Sequence, residues 1–327
     1  LPQSIRDEIL AVLLDRQPHY LSGEELSHQV GVSRAAIWKH MEELRAGGYE
    51  IEAKPRSGYR LVYRPDRVAP EEIYPHLQTN RFGREIQYQN QTPSTQLIAH
   101  QWAKEGAQEG AIVVAEEQID GKGRLGRVWH SPPRTGVWMS LILRPPIALQ
   151  NAYHLTILTS VGIKRGIERV TGLDIQIKWP NDLLIDGKKV CGVLTEIRGE
   201  QDRIHYAIIG IGMNVNTKKQ DFPKEILDIA TSLSIELGGD IHRATLIAAV
   251  LEELEECYER YLQEGFQVIQ QEWERGAYKM DQLITVRTPQ GNHTGILKGL
   301  YDTGALKLQV DQGTIAVYSA EIDIEKY

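Results

Sequence analysis

The chain has 327 residues, 41% hydrophobic and 25% charged, enough for more than one domain and a sizeable core. Its formal charge of −7 excludes a uniformly basic nucleic-acid binder, so any DNA contact must come from a local patch. The two cysteines, Cys191 and Cys257, lack metal-ligand spacing; a disulfide framework is excluded, and neither a signal core nor a run of ~20 apolar residues is present, so a cytoplasmic protein without membrane contact is expected.

Residues 1–64 are expected to form a winged helix-turn-helix. Ile5, Ile9, Val12 and Leu13 recur at helical spacing. Ser22 with Glu25 makes a capping box that opens a short helix through Val30. After the turn Gly31-Val32-Ser33, Ser33 caps a third helix with Ile37, Met41 and Leu44 on one face, stopped by Gly47-Gly48. "YEIEAKPRSGYRLV" then alternates about a hairpin tip. On the outer side of the third helix, Ser33, Arg34, Ala35, Trp38 and Lys39 are candidates to meet DNA, with Lys54, Arg56 and Arg60 of the wing on phosphates. Glu42, Glu43, Glu50 and Glu52 dilute this field, and a solvated or protein-docking face is the competing reading. DNA modules of this kind usually act as dimers on paired half-sites, so a dimerising body is expected.

Pro65, Pro70 and Pro75 punctuate a linker over 65–84 with one short helix. Residues 85–275 mix strand-like runs at 111–115, 136–143, 190–197 and 204–211 with helical periodicity near 94–105, 152–170 and 243–262. The two kinds do not alternate regularly, which predicts an α+β body rather than a doubly wound sheet. "IDGKKV" (185–190) reads as a hairpin with an Asp-Gly turn. From 276 to 327, short strands between Gly and Asp turns predict a small SH3-like β-barrel.

The stretch "GKGRLGR" (121–127) has the glycine spacing of a dinucleotide turn. A strand precedes it, but Pro132-Pro133 and a further strand follow where the phosphate-binding helix should begin. No acidic residue lies about 20 positions on to hold a ribose, and no Gly-Lys-Ser/Thr ends a Walker loop. What remains is a glycine loop carrying Lys122, Arg124 and Arg127, suited to a carboxylate and phosphates held close together. An exposed basic loop without ligand is the plain alternative; the flanking Trp129 and Trp138 favour a covered site. Lys188 and Lys189 at the hairpin tip would, alone, read as solvated.

Taken in order, "STQ" (94–96), "EEQIDGKGRLGRVWHSP" (116–132), "KWPNDL" (178–183), "GKKVCGVLTE" (187–196) and "GIGMNVN" (210–216) resemble the biotin protein ligases, and the N-terminal unit extends the resemblance to their bacterial two-domain members, which also repress biotin genes. The family loop usually begins Gly-Arg-Gly-Arg; here Lys122 keeps the charge but lacks the bidentate fork. The resemblance implies a central fold like that of class II synthetases and biotin/lipoate ligases. It implies that biotin and ATP, with Mg²⁺, give biotinyl-5′-adenylate, and that a lysine of a biotin carboxyl carrier domain then takes the biotinyl group. Arg124 and Lys189 would be catalytic. Ser94, Thr95, Gln96, Gln118, Lys122, Gly123, Arg124 and Lys189 would bind biotin. Arg124, Arg127, Trp129, Lys178, Asn181, Asp182, Lys189, Gly210, Gly212 and Asn214 would hold ATP or the adenylate, with Asp182 the candidate for Mg²⁺. Trp179, with Trp129, would wall the site, plain core being the competing reading, and residues 217–232 would fold over the adenylate. It further implies a homodimer favoured by biotinyl-adenylate, bound to operator DNA, whose interface also docks the acceptor. A regulator that senses the ligand without ligating it, and a lipoate ligase, are the competing functions.

Overall fold

The computed structural model describes residues 5–200, 202–288, 291–318 and 321–322. The ends expected for the first and last units, at 1 and 327, lie outside the described residues. In the first unit, α1 (Ile5–Asp15), α2 (Gly23–Val30) and α3 (Arg34–Ala46) enclose Ile9, Leu10, Leu13, Leu26, Ile37, Met41 and Leu44. Ser22 and Glu25 form both halves of the capping box, and Ser33 Oγ accepts from the Ala36 amide at 3.2 Å, so each turn is written in its cap. The antiparallel wing, β1 (Glu50–Lys54) and β2 (Gly58–Tyr63), closes through Arg56 and Gly58, both at positive φ. A side chain at Gly58 would meet the Leu21 carbonyl oxygen at 1.9 Å, so this corner admits only glycine.

The segment expected as a linker with one short helix contains that helix and packs against the body. Its helix α4 (Pro70–Ile73) buries Glu72 and Ile73 completely, and Val68 is buried with them. The body that follows is a seven-stranded sheet, β3-β4-β5-β9-β8-β7-β6, from β3 (Ile86–Gln89), β4 (Ile112–Ala115), β5 (Gly136–Leu143), β6 (Gln176–Lys178), β7 (Asp182–Ile185), β8 (Lys188–Glu200) and β9 (Arg203–Asn214). Only β3–β4 is parallel, which makes the class α+β. The Asp186-Gly187 turn joins β7 to β8 with both residues at positive φ. Helix α5 (Thr95–Lys104) covers one face through Ala99 and Ala103 against Val113, Ile142 and Ile208. The other face carries α6 (Tyr153–Thr171) and α8 (Arg243–Glu264); the short α7 (Leu233–Leu237) lies between them in the chain and α9 (Phe266–Arg275) follows α8. Gly162 and Gly166 let α6 meet α8 closely: a Cβ at either would stand 2.7 Å from Leu254 or Val250. The last unit is antiparallel, in the order β13-β12-β11-β10-β14, from β10 (Leu283–Thr288), β11 (Gly291–Leu300), β12 (Leu306–Val310), β13 (Gly313–Val317) and β14 (Glu321–Ile322). It shares one core with the body, because Leu297, Leu306 and Leu308 belong to the same buried cluster as Trp179 and Trp273.

A polar network joins the first unit to the body. Arg64 at the end of the wing donates to His242 at 2.6 Å and to His76 at 3.0 Å, and Tyr49 bonds the buried Glu72. Arginine has no acceptor, so His76 must offer it a lone pair and stay neutral. Burial, with Arg64 and His242 beside it, depresses the His76 imidazole from 6.5 to about 4. Between those values the unfolded chain binds the proton and the folded chain does not, so stability falls as pH drops from 6.5 towards 4. Thermal unfolding from pH 7 to 4.5 should show this slope, and His76→Gln should flatten it; an equal slope in both chains would contradict the assignment.

Candidate active site

One cavity of about 350 Å³ opens where β8, β9 and the start of α5 meet the 121–131 loop. That is within the range of small-ligand pockets. Its lining includes every residue expected around biotin and adenylate, although they come from positions 94 to 214 of the chain.

The inner end is neutral and hydrogen-bonded. Ser94 stands at the N-cap position of α5, yet its side chain caps nothing; its buried oxygen has no hydrogen-bond partner among the described residues. The hydroxyl is therefore available to a ligand. Gln118 Oε1 accepts from the Thr95 amide (2.9 Å), and its Nε2 donates to Ser131 Oγ (3.0 Å). Thr95 Oγ1 lies 2.8 Å from Ser140 Oγ, and Gln96 Nε2 donates to Glu196 at 2.9 Å. Gly210 makes room for this ring: a Cβ there would sit 2.9 Å from Gln96 Oε1.

The outer end is cationic. Gly123 N donates to Arg127 O at 2.7 Å and Trp129 N to Gly121 O at 2.8 Å, which ties the loop into a closed arch with Leu125 at positive φ. The arch lays Lys122, Gly123, Arg124 and Arg127 along the cavity. Arg124 is held by Asn181 Oδ1 at 2.9 Å, while Asn181 Nδ2 donates to Val193 O at 2.9 Å, so β8 fixes the arginine indirectly. Lys189 pairs with Asp182 at 2.7 Å and its ammonium lies 5.1 Å from the Trp129 ring centre. Lys178 borders the same end. Cys191, buried in β8, does not line the cavity, and burial pushes its thiol far above its ordinary range.

The space beside Gly210 and Gly212 is taken by Gln96 and by Trp129, whose indole would stand 2.5 Å from a Cβ on Gly212. Gly212→Ala should therefore push the Trp129 indole out of its place; tryptophan emission checks this, and an unshifted spectrum would contradict it. Trp138 is buried in β5, bonded to Pro132 O at 3.3 Å, and does not line the cavity. Trp179 does line it, but its Nε1 donates to Gly304 O at 3.2 Å, so the same ring anchors the C-terminal unit. Trp129 Nε1 is buried without a partner among the described residues, a second donor left for a ligand.

Further lining residues come from distant parts of the chain. Phe222, Ile226, Ile229 and Ala230 form an apolar side, within the segment expected to cover the adenylate. That segment is held down by Asn214 Nδ2 to Thr231 O (3.0 Å) and by the Lys189 amide to Ile229 O (2.8 Å). Arg287 and Ile322 arrive from the C-terminal unit. No sequence spacing signals them, because their closeness depends on the docking of two units.

At the other end of the molecule, Arg34, Ala35, Trp38 and Lys39 are exposed on one side of α3, opposite buried Ile37 and Met41. Lys54 and Arg56 of the wing border the same groove as Arg34 and the start of α2. Arg60 is spent internally, paired with Glu52 at 2.5 Å and lying 4.8 Å from the Tyr20 ring centre.

Fold and site together define a nucleotide-using ligase body carrying a helix-turn-helix unit. Family models agree: the biotin/lipoate A/B protein ligase family matches residues 88–214, an HTH domain residues 6–60, and the biotin protein ligase C-terminal domain residues 281–324. The chain is 44% identical over 321 residues to the bifunctional ligase/repressor BirA of Bacillus subtilis, covering 98% of this chain and 99% of that one. It is 27% identical to the Escherichia coli protein of the same name, over 96% and 97% of the two chains. Among solved structures, the Aquifex aeolicus biotin protein ligase in complex with biotin and ATP superposes with a TM-score of 0.66 at 28% identity, covering 75% of this chain and all of that one. The chain belongs to the family of bifunctional biotin ligase/repressors.

Proposed function

We propose that this cavity activates biotin with ATP and passes the biotinyl group to a lysine of a carrier domain, and that the N-terminal unit represses transcription under control of the same intermediate. The observation that carries the reading is the polarity of the cavity: a neutral hydrogen-bonding end at Ser94, Thr95, Gln96 and Gln118, and a cationic end at Lys122, Arg124, Lys178 and Lys189. The first suits a ureido ring, which needs matched donors and acceptors; lipoate offers its dithiolane no such groups. The second suits a carboxylate meeting a triphosphate.

In the first step a biotin carboxylate oxygen bonds to the α-phosphorus, and pyrophosphate departs with the electron pair of the broken P–O bond. Two anions must approach, so fixed cations at the meeting point lower the barrier. Lys189 and Arg124 take that role; Lys122, Lys178 and Arg127 address the remaining phosphates, and Trp129 with Asn181 and Asn214 borders the nucleotide. In the second step the acceptor amine attacks the acyl carbon, AMP leaves, and the amine proton passes to solvent. Asp182 is the one carboxylate on the cavity among the described residues, and these contain no group of three or more metal-ligating side chains. A single carboxylate with substrate phosphates fits a Mg²⁺ that arrives with ATP, where it would neutralise phosphate charge.

Ile119, Leu125 and Val128 stand 65–78% exposed on the loop beside the cavity. An apolar edge of that kind supports a body-to-body dimer that forms when the ligand orders the loop, and the same edge serves the acceptor, so repression and transfer exclude each other. The dimer sets two α3 helices on one operator, with Ser33, Arg34, Ala35, Trp38, Lys39, Lys54 and Arg56 as the contact set. None of the described helices is long and apolar enough to cross a membrane.

Incubation with MgATP, radiolabelled biotin and a carrier domain should label the carrier; acceptance of lipoate without biotin labelling would overturn the reading. Gel shifts on operator DNA should strengthen with biotinyl-adenylate, and identical weak binding with and without it would overturn ligand-controlled repression.

A further inference from the structure

We infer that Glu196, which does not border the cavity, is a positioning residue for substrate specificity: it sets which end of the Gln96 amide faces the ligand. The inference rests on the biotin reading above. Gln96 and His100 are four residues apart on α5 and therefore share one helix face. Alternation along β8 sends Thr195 towards α6, where its hydroxyl lies 2.8 Å from that of Thr156, and Glu196 towards α5. The carboxylate thus meets both α5 side chains: Glu196 Oε2 is 2.9 Å from Gln96 Nε2 and 3.0 Å from His100 Nε2.

The chemistry of that contact has one solution. An ionised carboxylate only accepts hydrogen bonds, so Gln96 must turn its NH₂ outward to Glu196. Its Oε1 is then left beside Gly210 and 3.5 Å from Ser140 Oγ. Ser140 and Thr95 have one hydroxyl proton each, and Gln118 Oε1 also draws on Thr95, at 3.2 Å. The hydroxyls therefore do not saturate Gln96 Oε1, and it remains an acceptor for an N–H of the ligand. A ureido ring supplies that N–H; a ring with an oxygen in its place would meet an acceptor with an acceptor. Gln96 Nε2 also reaches Leu194 O, at 3.5 Å, but the 2.9 Å bond to the charged carboxylate is the stronger hold. Without Glu196 that hold is gone, the amide can rotate and present NH₂ instead, and the selection for N–H is relaxed. Glu196 is exposed, at the outer end of this chain of contacts, so replacing it leaves the core intact.

The test uses the full chain, biotin, and a cyclic carbamate analogue in which one ureido N–H is replaced by oxygen. By calorimetry without nucleotide, wild type should bind biotin at least about tenfold tighter than the carbamate. Glu196→Leu should weaken biotin about tenfold and bring the two ligands within about twofold of each other, with the KM for ATP unchanged. Glu196→Gln, whose carbonyl oxygen still accepts from Gln96, should recover most of the discrimination. An unchanged biotin-to-carbamate ratio in Glu196→Leu overturns the inference and leaves the ligase reading standing, as does an equal rise in the KM for both substrates, which would mark a merely structural role. A wild-type chain that binds no biotin overturns the ligase reading and this inference with it.

Discussion

Lys189→Gln is expected to slow biotinyl-adenylate formation about 100- to 1,000-fold, the usual cost of removing one preorganised group from developing charge. The lysine is the second residue of β8, just past the Asp-Gly turn, and its surroundings hold it in place. Asp182 pairs with it, the Trp129 ring lies under it, and Gly192 leaves room for it: a Cβ at that position would stand 3.2 Å from Nζ. The ammonium is therefore placed before substrate arrives, which is the condition for a large catalytic contribution. Glutamine keeps length and a donor but not the charge. Pyrophosphate release in a single turnover measures the step, with biotin affinity as the control; a loss below tenfold would remove Lys189 from the reacting centre. Asp182→Asn should cost less, because it frees the lysine without discharging it.

Arg243→Met is expected to destabilise the protein by about 3–5 kcal/mol, since removing one member of a buried ion cluster strands the rest. Arg243 is fully buried at the start of α8. It pairs with Asp66 at 2.8 Å and Glu116 at 2.9 Å, and donates to Gly136 O at 3.0 Å and Asp66 O at 2.7 Å. Asn216 Nδ2 also reaches Asp66, at 3.1 Å, so the tether of the DNA-binding unit is clamped two residues beyond the cavity residue Asn214. A fall in melting temperature on the order of 10 °C is expected. Calorimetry reads it, and a change of under 2 °C would show that the cluster relaxes around the loss.

Much of the site was legible because the relevant signals are local. The glycine loop, the Asp-Gly hairpin and the Ser33 cap each depend on residues a few positions apart, where turn chemistry and periodicity act. The failed dinucleotide reading was also local, since Pro132-Pro133 forbids the helix. Other features were not legible for a physical reason. Glycine at 210 and 212 looks the same whether it admits a ligand or a neighbour; only the placement of Gln96 and Trp129 distinguishes them. Trp179 reads as a pocket wall or as core, and its bond to Gly304 spans 125 residues.

The sequence by itself determined the Ser22 and Ser33 caps, the wing turn, the α+β class and the family, because these rest on short-range patterns and on ordered motifs. The tertiary structure decided what those motifs do to one another. It bonded Arg124 to Asn181, brought Arg287 and Ile322 from the last unit to the cavity, clamped Asp66 with a buried arginine, and set Glu196 behind Gln96. Such pairings depend on how strands order in the sheet and how units dock, and both are fixed by burial of apolar faces over the whole chain rather than by any local spacing.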